Sequence, residues 1–529
     1  MGLFGKWSRR DLLKRSGAVA AATPVAGALT PVVAVAAPET LKHTGTEKDN
    51  LFTRIGVRPL INGRGTYTII SGSRSLPEVK QAMFEASHYY VQMDEMMNGI
   101  GAELGRLMGG EWGIVTNGAE AAICLATIAC IAGANVEQCQ MLPYVKAKDQ
   151  VIIPKYSRNP YDLGVRMVGA EIVEVETPDE MRAKITGRTA MIYVMSGPQA
   201  EKDVLNIPAL IAIAKEKNIP ILVDAAAEEP LNPNPHLSRG ATLVCYSGGK
   251  CLRGPQSSGV LLGDKNLCQA AYYQAAPHHA FGRALKCSKE ESMGLLAAVR
   301  QWYRRDHAAE QRMWLSWMQG IEKRLKSLPS TSFEYLEPED LSNKATQLRV
   351  KWDANVLKIT GPELAAKLDA GSPRILINAG SGRRPDQMAS SVTIMPYMLD
   401  PGEAQIIAEA MHAALINPGP HPDPVVPSGA PANIDGAWMV TVRYLRGEGT
   451  QKFTIRQNGG DVSGHHDGEH YNGRLRGRVD GDRVELRSVM EVPGNPIHWT
   501  FTGSIQGGGM SGKADMGEYG PVTWTATRA

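Results

Sequence analysis

Between residues 112 and 263 the chain alternates short apolar, β-branched runs with helix-patterned stretches, and this alternation constrains the fold more than any other feature of its 529 residues. The runs lie at 112–115, 151–153, 171–175, 191–195, 221–224, 242–245 and 260–262, and one helical pattern between them spans 207–217. Strands alternating with helices predict an α/β domain, a largely parallel sheet covered by helices on both faces. In such open sheets ligands bind beyond the carboxyl ends of the strands. Chemistry is therefore expected in the residues that follow strand ends.

A chain of this length exceeds a single core. Residues 288–325 carry a helical pattern and predict one long helix, and the mixed runs that follow, including 347–352 and 374–377, suit a smaller α+β lobe. The proline-dense NPGPHPDPVVPSGAPAN (417–433) reads as a semi-extended linker. Beyond it, alternating runs such as WMVTVRY, KFTIRQ, RVELRSV and VTWTATR sit between Gly/Asp turns, with no helical period. They predict an antiparallel β-barrel or sandwich, distantly similar to lipocalin-like barrels, with Trp438, Trp499, Phe501 and Trp524 in its core. The expected organisation is a leader at 1–36, a large domain with its N-terminal segment at 37–300, a small α+β domain at 301–416, the linker at 417–433 and an all-β module at 434–529.

The leader contains SRRDLLK (8–14), an alanine-rich apolar run and Ala34-Val35-Ala36. This is the layout of a twin-arginine export signal with a small-residue cleavage site, which predicts handling by the twin-arginine machinery and a periplasmic or otherwise exported protein. Alanine is weakly hydrophobic and Pro24 and Pro31 interrupt the run, so cleavage is expected rather than stable membrane insertion. That route carries folded proteins, so a cofactor would be acquired beforehand and the thiols would stay reduced. Seven cysteines without a CxxC pair argue against a zinc or disulfide framework. The formal charge is +3, and removing the net +4 of residues 1–36 leaves −1, no electrostatic basis for binding nucleic acid.

Three strand-end features converge on one chemistry. Thr116-Asn117-Gly118-Ala119 follows the run 112–115 and opens an apolar helix, where small residues let a phosphate approach backbone N–H groups at the positive end of the helix dipole. Asp224 closes a fully apolar run, where a carboxylate needs a partner such as a protonated ring nitrogen. Lys250 follows the next run, between glycines, with Ser247 close by. An amine, a strand-end carboxylate and a phosphate cradle are what pyridoxal phosphate requires: lysine for the Schiff base, aspartate for the pyridine nitrogen, the cradle for the phosphate.

The segments INGRGTYTIISGS (61–73), TNGAEAAICLATIACIAG (116–133), VDAAAE (223–228), YSGGKCLRGPQSSGVLLG (246–263) and GRALKCSKEESMGLLAAV (282–299) resemble the selenocysteine-synthase-like branch of the fold-type-I pyridoxal-phosphate enzymes. Within it they most resemble proteins related to D-glucosaminate-6-phosphate ammonia-lyase, often labelled seryl-tRNA selenium transferases, over roughly residues 50–415. The resemblance implies Lys250 as the aldimine lysine, Asp224 as the pyridinium partner and Asn117, Gly118, Ala119 and Ser247 around the phosphate, beside the Thr116 that the helix start already offers. It implies Arg283 and Lys286 on the substrate side and Arg74 near the mouth, and a homodimer or larger assembly. Gly63 stands where relatives usually have alanine. The export signal and the β module are not part of the pattern, and an exported chain has no access to charged tRNA, which disfavours selenium transfer.

Gln199, in the SGPQ stretch after the run 191–195, is expected to line the pocket. Arg374 serves equally well as a carboxylate ligand or a surface residue, and the pair His278-His279 reads as an ordinary loop feature. HHDGEH (465–470) gathers histidines and acids, but a glycine-containing hairpin tip leaves them solvated, so no metal is expected. The function expected is an exported pyridoxal-phosphate enzyme acting at the α-carbon of a small amino acid or amino-sugar acid, by α,β-elimination of the ammonia-lyase type. The alternatives are a racemase or epimerase using the same carbanion, and an exported binding protein with a silent pyridoxal-phosphate fold.

Overall fold

The computed structural model describes residues 49–145, 147–339, 341–423 and 429–529; the expected export signal at 1–36 and residues 424–428 of the expected linker lie outside them. A first short strand, β1 (Leu60–Gly63), precedes the large sheet. That sheet has seven strands: β2 (Trp112–Thr116), β3 (Gln150–Pro154), β4 (Glu171–Val175), β5 (Thr189–Met195), β6 (Ile221–Asp224), β7 (Leu243–Ser247) and β8 (Gly259–Gly263). Their order is β2-β8-β7-β6-β5-β3-β4. Pairing is parallel from β7 through β6, β5 and β3 to β4, whereas β8 runs antiparallel to both β7 and β2. The exception has a simple cause. No crossover helix separates β7 from β8, so the chain can only return antiparallel, and the connecting loop is the one that carries Lys250. The helix Gly118–Ala132 is buried along nearly its whole length and packs across β5, β7 and β8, as an all-apolar helix must.

The expected single helix over 288–325 is two helices, Lys289–Trp302 and His307–Leu325. Asp306 stops the first continuing by capping the second, its carboxylate accepting from the Ala309 N–H at 2.9 Å. The small lobe holds β9 (Ser332–Leu336), β10 (Gln347–Asp353), β11 (Arg374–Ala379) and β12 (Ala389–Ile394). Its sheet order is β1-β11-β12-β10-β9, with β1 parallel to β11. The N-terminal segment therefore does not belong wholly to the large domain: residues 60–63 complete the small-lobe sheet. Gly63 is packed tightly there, since a Cβ would lie 3.0 Å from Ile377 Cγ2 and 3.1 Å from the Leu376 carbonyl oxygen.

The C-terminal module is a closed, up-and-down barrel, which decides between barrel and sandwich. Its strands are β13 (Gly436–Arg443), β14 (Glu448–Asn458), β15 (Asp461–Asp467), β16 (Asn472–Asp480), β17 (Arg483–Met490), β18 (Ile497–Gln506), β19 (Gly509–Asp515) and β20 (Pro521–Arg528). Trp438, Trp499, Phe501 and Trp524 are buried inside it. Two strands escaped the sequence pattern, β15 (DVSGHHD) and β19 (GMSGKAD), because glycine and serine replace their β-branched residues. Closure demands this: a Cβ at Gly464 would strike the Thr454 carbonyl oxygen, and one at Gly512 that of Thr502. His465 and His466 are accordingly strand residues, not a solvated tip. His466 points inward, shares a 2.8 Å hydrogen bond with Gln451 Oε1, and is held down at about 4 by burial. Among the described residues no group of three or more His, Cys, Asp or Glu side chains could hold a metal, and no helix is long and apolar enough to cross a membrane.

Candidate active site

The site forms where β2, β8, β7 and β6 end together. Thr116, Gly259 and Ser247 lie in one row across β2, β8 and β7. Gly259 is obligatory at its place, because a Cβ there would sit 2.5 Å from the Gly118 carbonyl carbon and 2.8 Å from the Ala119 nitrogen. Thr116 Oγ1 donates to the Gly118 carbonyl oxygen at 2.8 Å, and Gly118 takes φ +82°, open to glycine. The helix Gly118–Ala132 then starts without a side-chain cap. Asn117, at the capping position, instead donates to the Lys286 carbonyl oxygen at 3.0 Å, leaving the first-turn N–H groups for an anion.

Asp224, the last residue of β6, is buried. Burial raises its carboxyl above the usual range, opposed by the Ala226 N–H, the Tyr193 hydroxyl, the Lys250 ammonium and the Cys245 thiol. Tyr193 donates to Asp224 Oδ2 at 3.0 Å, the Ala226 N–H to Oδ1 at 3.0 Å, and the Cys245 thiol lies 3.6 Å from Oδ1. Tyr193 in turn accepts from Asn159 Nδ2 at 3.3 Å.

The glycines around Lys250 fold its loop back tightly. The Arg253 N–H donates to the Lys250 carbonyl at 3.0 Å, the Gly254 N–H to Gly248 at 2.8 Å, and the Gly248 N–H to Ser258 at 2.8 Å. A Cβ at Gly248 would strike Ser258 Oγ, and one at Gly249 would sit 3.0 Å from the Gln256 backbone. Arg305 Nη2 holds the Cys251 carbonyl from behind at 3.1 Å. A cavity of about 240 Å³ opens on that side, lined by Trp302, Arg305, His307, Trp314 and Tyr397. A larger one, about 870 Å³, lies on the open face of the small-lobe sheet around Arg349, Lys351 and Ser391 and contains none of the expected site residues.

The remaining expected residues divide. Arg283 and Lys286 sit on the segment tied to Asn117, and neither has an ion-pair partner among the described residues. Arg74 is otherwise employed: its guanidinium pairs with Asp400 and, at 3.3 Å, with Glu403, tying the large domain to the small lobe. Gln199 is exposed at the start of the helix Pro198–Lys202, although its neighbour Ser196 donates its N–H to the Asp224 carbonyl at 2.9 Å. Arg374 pairs with Asp369 at 2.6 Å. His278 bonds to Asp94 at 3.1 Å between Tyr272 and Tyr273, a structural role.

Sequence reasoning passed over Asn159, Tyr193 and Cys245, which surround Asp224. One signal was available: a tyrosine inside the apolar run MIYVM must find a partner for its hydroxyl.

The residue set fits pyridoxal phosphate. Asp224 is a buried carboxylate at a strand end, the Lys250 loop follows the next strand, and the uncapped helix start supplies donors for a phosphate. Comparison with known proteins agrees. The family profile described as Cys/Met metabolism PLP-dependent enzyme matches residues 43–289. The chain is 26% identical over 333 residues to D-glucosaminate-6-phosphate ammonia lyase of Salmonella typhimurium, covering 61% of this chain and 87% of that one. It is 27% identical over 416 residues to 5'-C-glycyluridine monooxygenase-decarboxylase of a Streptomyces species, covering 76% and 98%. A 102-residue match at 37% identity, covering 17% and 21%, links it to the L-seryl-tRNA(Sec) selenium transferase of Proteus mirabilis. The solved structure of a D-glucosaminate-6-phosphate ammonia-lyase superimposes with a TM-score of 0.62 at 24% identity, over 70% of this chain and 99% of that one. The chain is a pyridoxal-phosphate-dependent enzyme of fold type I, similar to the selenocysteine-synthase-like branch of that fold.

Proposed function

We propose that the protein is an exported lyase that removes ammonia from a small amino acid or amino-sugar acid by α,β-elimination. The observation that carries the reading is a buried strand-end carboxylate, Asp224, held by Tyr193 and the Ala226 N–H, with the Lys250 loop following the neighbouring strand β7. When bound, pyridoxal phosphate supplies an electron sink for the pair left behind as the α-proton departs. Asp224, buried and held by Tyr193 and the Ala226 N–H, would accept a hydrogen bond from the protonated ring nitrogen. Lys250, on a turn braced by its own backbone bonds, takes the α-proton as general base. Thr116 to Ala119 and Ser247 would hold the phosphate. Arg283 and Lys286, without an ion-pair partner among the described residues, would hold the substrate's distal anion. Loss of a β-hydroxyl followed by hydrolysis of the resulting imine gives an oxo acid and ammonia.

The test is a panel of amino acids and amino-sugar acids incubated with the holoenzyme, with ammonia and oxo acid quantified. Lys250→Ala abolishes both products; retained turnover in that variant overturns the reading. The long match to a monooxygenase-decarboxylase favours a second reading, in which the α-carboxylate rather than the proton is lost. Carbon dioxide release with oxygen uptake on the same panel distinguishes it.

A further inference from the structure

The barrel is not a passenger on the catalytic domain. After β3 the chain turns through residues 155–162, and this turn carries Asn159, whose Nδ2 donates to the Ser157 carbonyl oxygen at 2.7 Å and to the Tyr193 hydroxyl that donates to Asp224. The β17–β18 loop of the barrel seats on that turn. Gly494 lies so close that a Cβ built on it would be 2.9 Å from the Asn159 carbonyl oxygen, 3.1 Å from the Asn159 nitrogen and 3.0 Å from Asp162 Oδ2. Its neighbour Pro493 accepts from Arg158 Nη2 at 3.4 Å. Arg158 is itself anchored to the buried Asp162 at 2.6 Å, and to Glu174. A second barrel segment, the turn Gly517–Tyr519, is joined to this loop by the hydrogen bond from Asn495 Nδ2 to Tyr519 Oη, 2.8 Å.

We propose that the C-terminal barrel is a cis-acting brace behind the candidate cofactor site, and that its 491–496 loop positions Asp224 through Asn159 and Tyr193. Asn159 and Tyr193 are positioning residues in this arrangement, because they act on the cofactor through the carboxylate. The proposal rests on the pyridoxal-phosphate reading of Asp224 only for its consequence; the mechanical contact stands apart from it.

The experiment separates the two. Full-length Gly494→Ala puts a Cβ against Asn159 at a positive φ of +80°. Gly507→Ala, at φ +59° in an exposed turn with nothing within 4 Å, imposes comparable backbone strain without the contact. Amide hydrogen exchange on the apo chains reads the turn directly. Gly494→Ala accelerates exchange of residues 158–162 by about tenfold, and Gly507→Ala leaves it at the wild-type rate. Titration with pyridoxal phosphate then reads the consequence, a dissociation constant raised by about tenfold in Gly494→Ala alone. Should Gly494→Ala melt early, Asn495→Ala, which uncouples the loop from Tyr519, provides the second perturbation with the same expected pattern. Wild-type exchange at 158–162 in both perturbing variants overturns the proposal. Accelerated exchange in a chain whose wild type takes no pyridoxal phosphate keeps the contact and overturns the cofactor reading.

Discussion

Replacing Tyr193 by phenylalanine isolates the hydroxyl hydrogen bond that favours the charged form of Asp224. The ring packing survives, and Asn159 Nδ2 keeps its bond to the Ser157 carbonyl at 2.7 Å, so the lost element is the donor 3.0 Å from Asp224 Oδ2. A hydrogen bond to a charged group contributes about 1.5–3 kcal/mol, which corresponds to roughly one to two pKa units. The sign follows from the native state. Burial already raises the carboxyl, so its contribution to apo stability is full below the unfolded carboxylate range and is lost as pH rises through the raised value. Removing a donor to the charged form raises it further. Because a protonated ring nitrogen needs a carboxylate, cofactor affinity falls on the acid side as Asp224 becomes neutral. Measured by fluorescence quenching of the apo chain across pH, the acid limb of the affinity profile moves about one to two units alkaline in Tyr193→Phe, with the plateau nearly unchanged. An unshifted limb, or a uniform loss of affinity at every pH, refutes the reasoning.

Arg283→Gln and Lys286→Gln each raise KM for a substrate with a distal anionic group by about tenfold or more while leaving kcat within a few-fold, the pattern of lost ground-state binding seen in steady-state kinetics. Asp306→Ala removes the cap between the two helices and costs about 1 kcal/mol, read as a lowered Tm in thermal denaturation. Burial holds His466 at about 4 against 6.5, so its contribution to barrel stability is full above the unfolded value and is lost as pH falls through about 4. The difference is worth about 3 kcal/mol, and His466→Phe flattens the pH dependence of the barrel's melting between pH 7 and 4. Arg9→Lys with Arg10→Lys keeps the protein in the cytoplasm, as cell fractionation would show.

The strand positions of the large sheet, the strand-end placement of Asp224 and Lys250 and the buried tryptophans of the barrel were legible because they rest on local pattern. What escaped were consequences of tertiary contact. Residues 60–63 read as a tail of the large domain, and only their pairing with β11 assigns them to the small lobe. The break at Asp306 was hidden because helix-forming residues flank it on both sides, although an Asp shortly before two alanines carried the cap signal. Arg74 looked like a free cation until the fold brought Asp400 and Glu403 to it from more than three hundred residues away. Asn159 carries no motif, and its place beside Tyr193 arises from the turn after β3 and the barrel loop that presses on it.

The central claim, a covalent bond between pyridoxal phosphate and Lys250 with Asp224 on the ring nitrogen, is tested most directly by reducing the holoenzyme with borohydride and sequencing its peptides by mass spectrometry. The account predicts a single pyridoxyl group on Lys250, lost in Lys250→Ala and diminished in Asp224→Ala. An unlabelled chain, or a label on any other lysine, contradicts it.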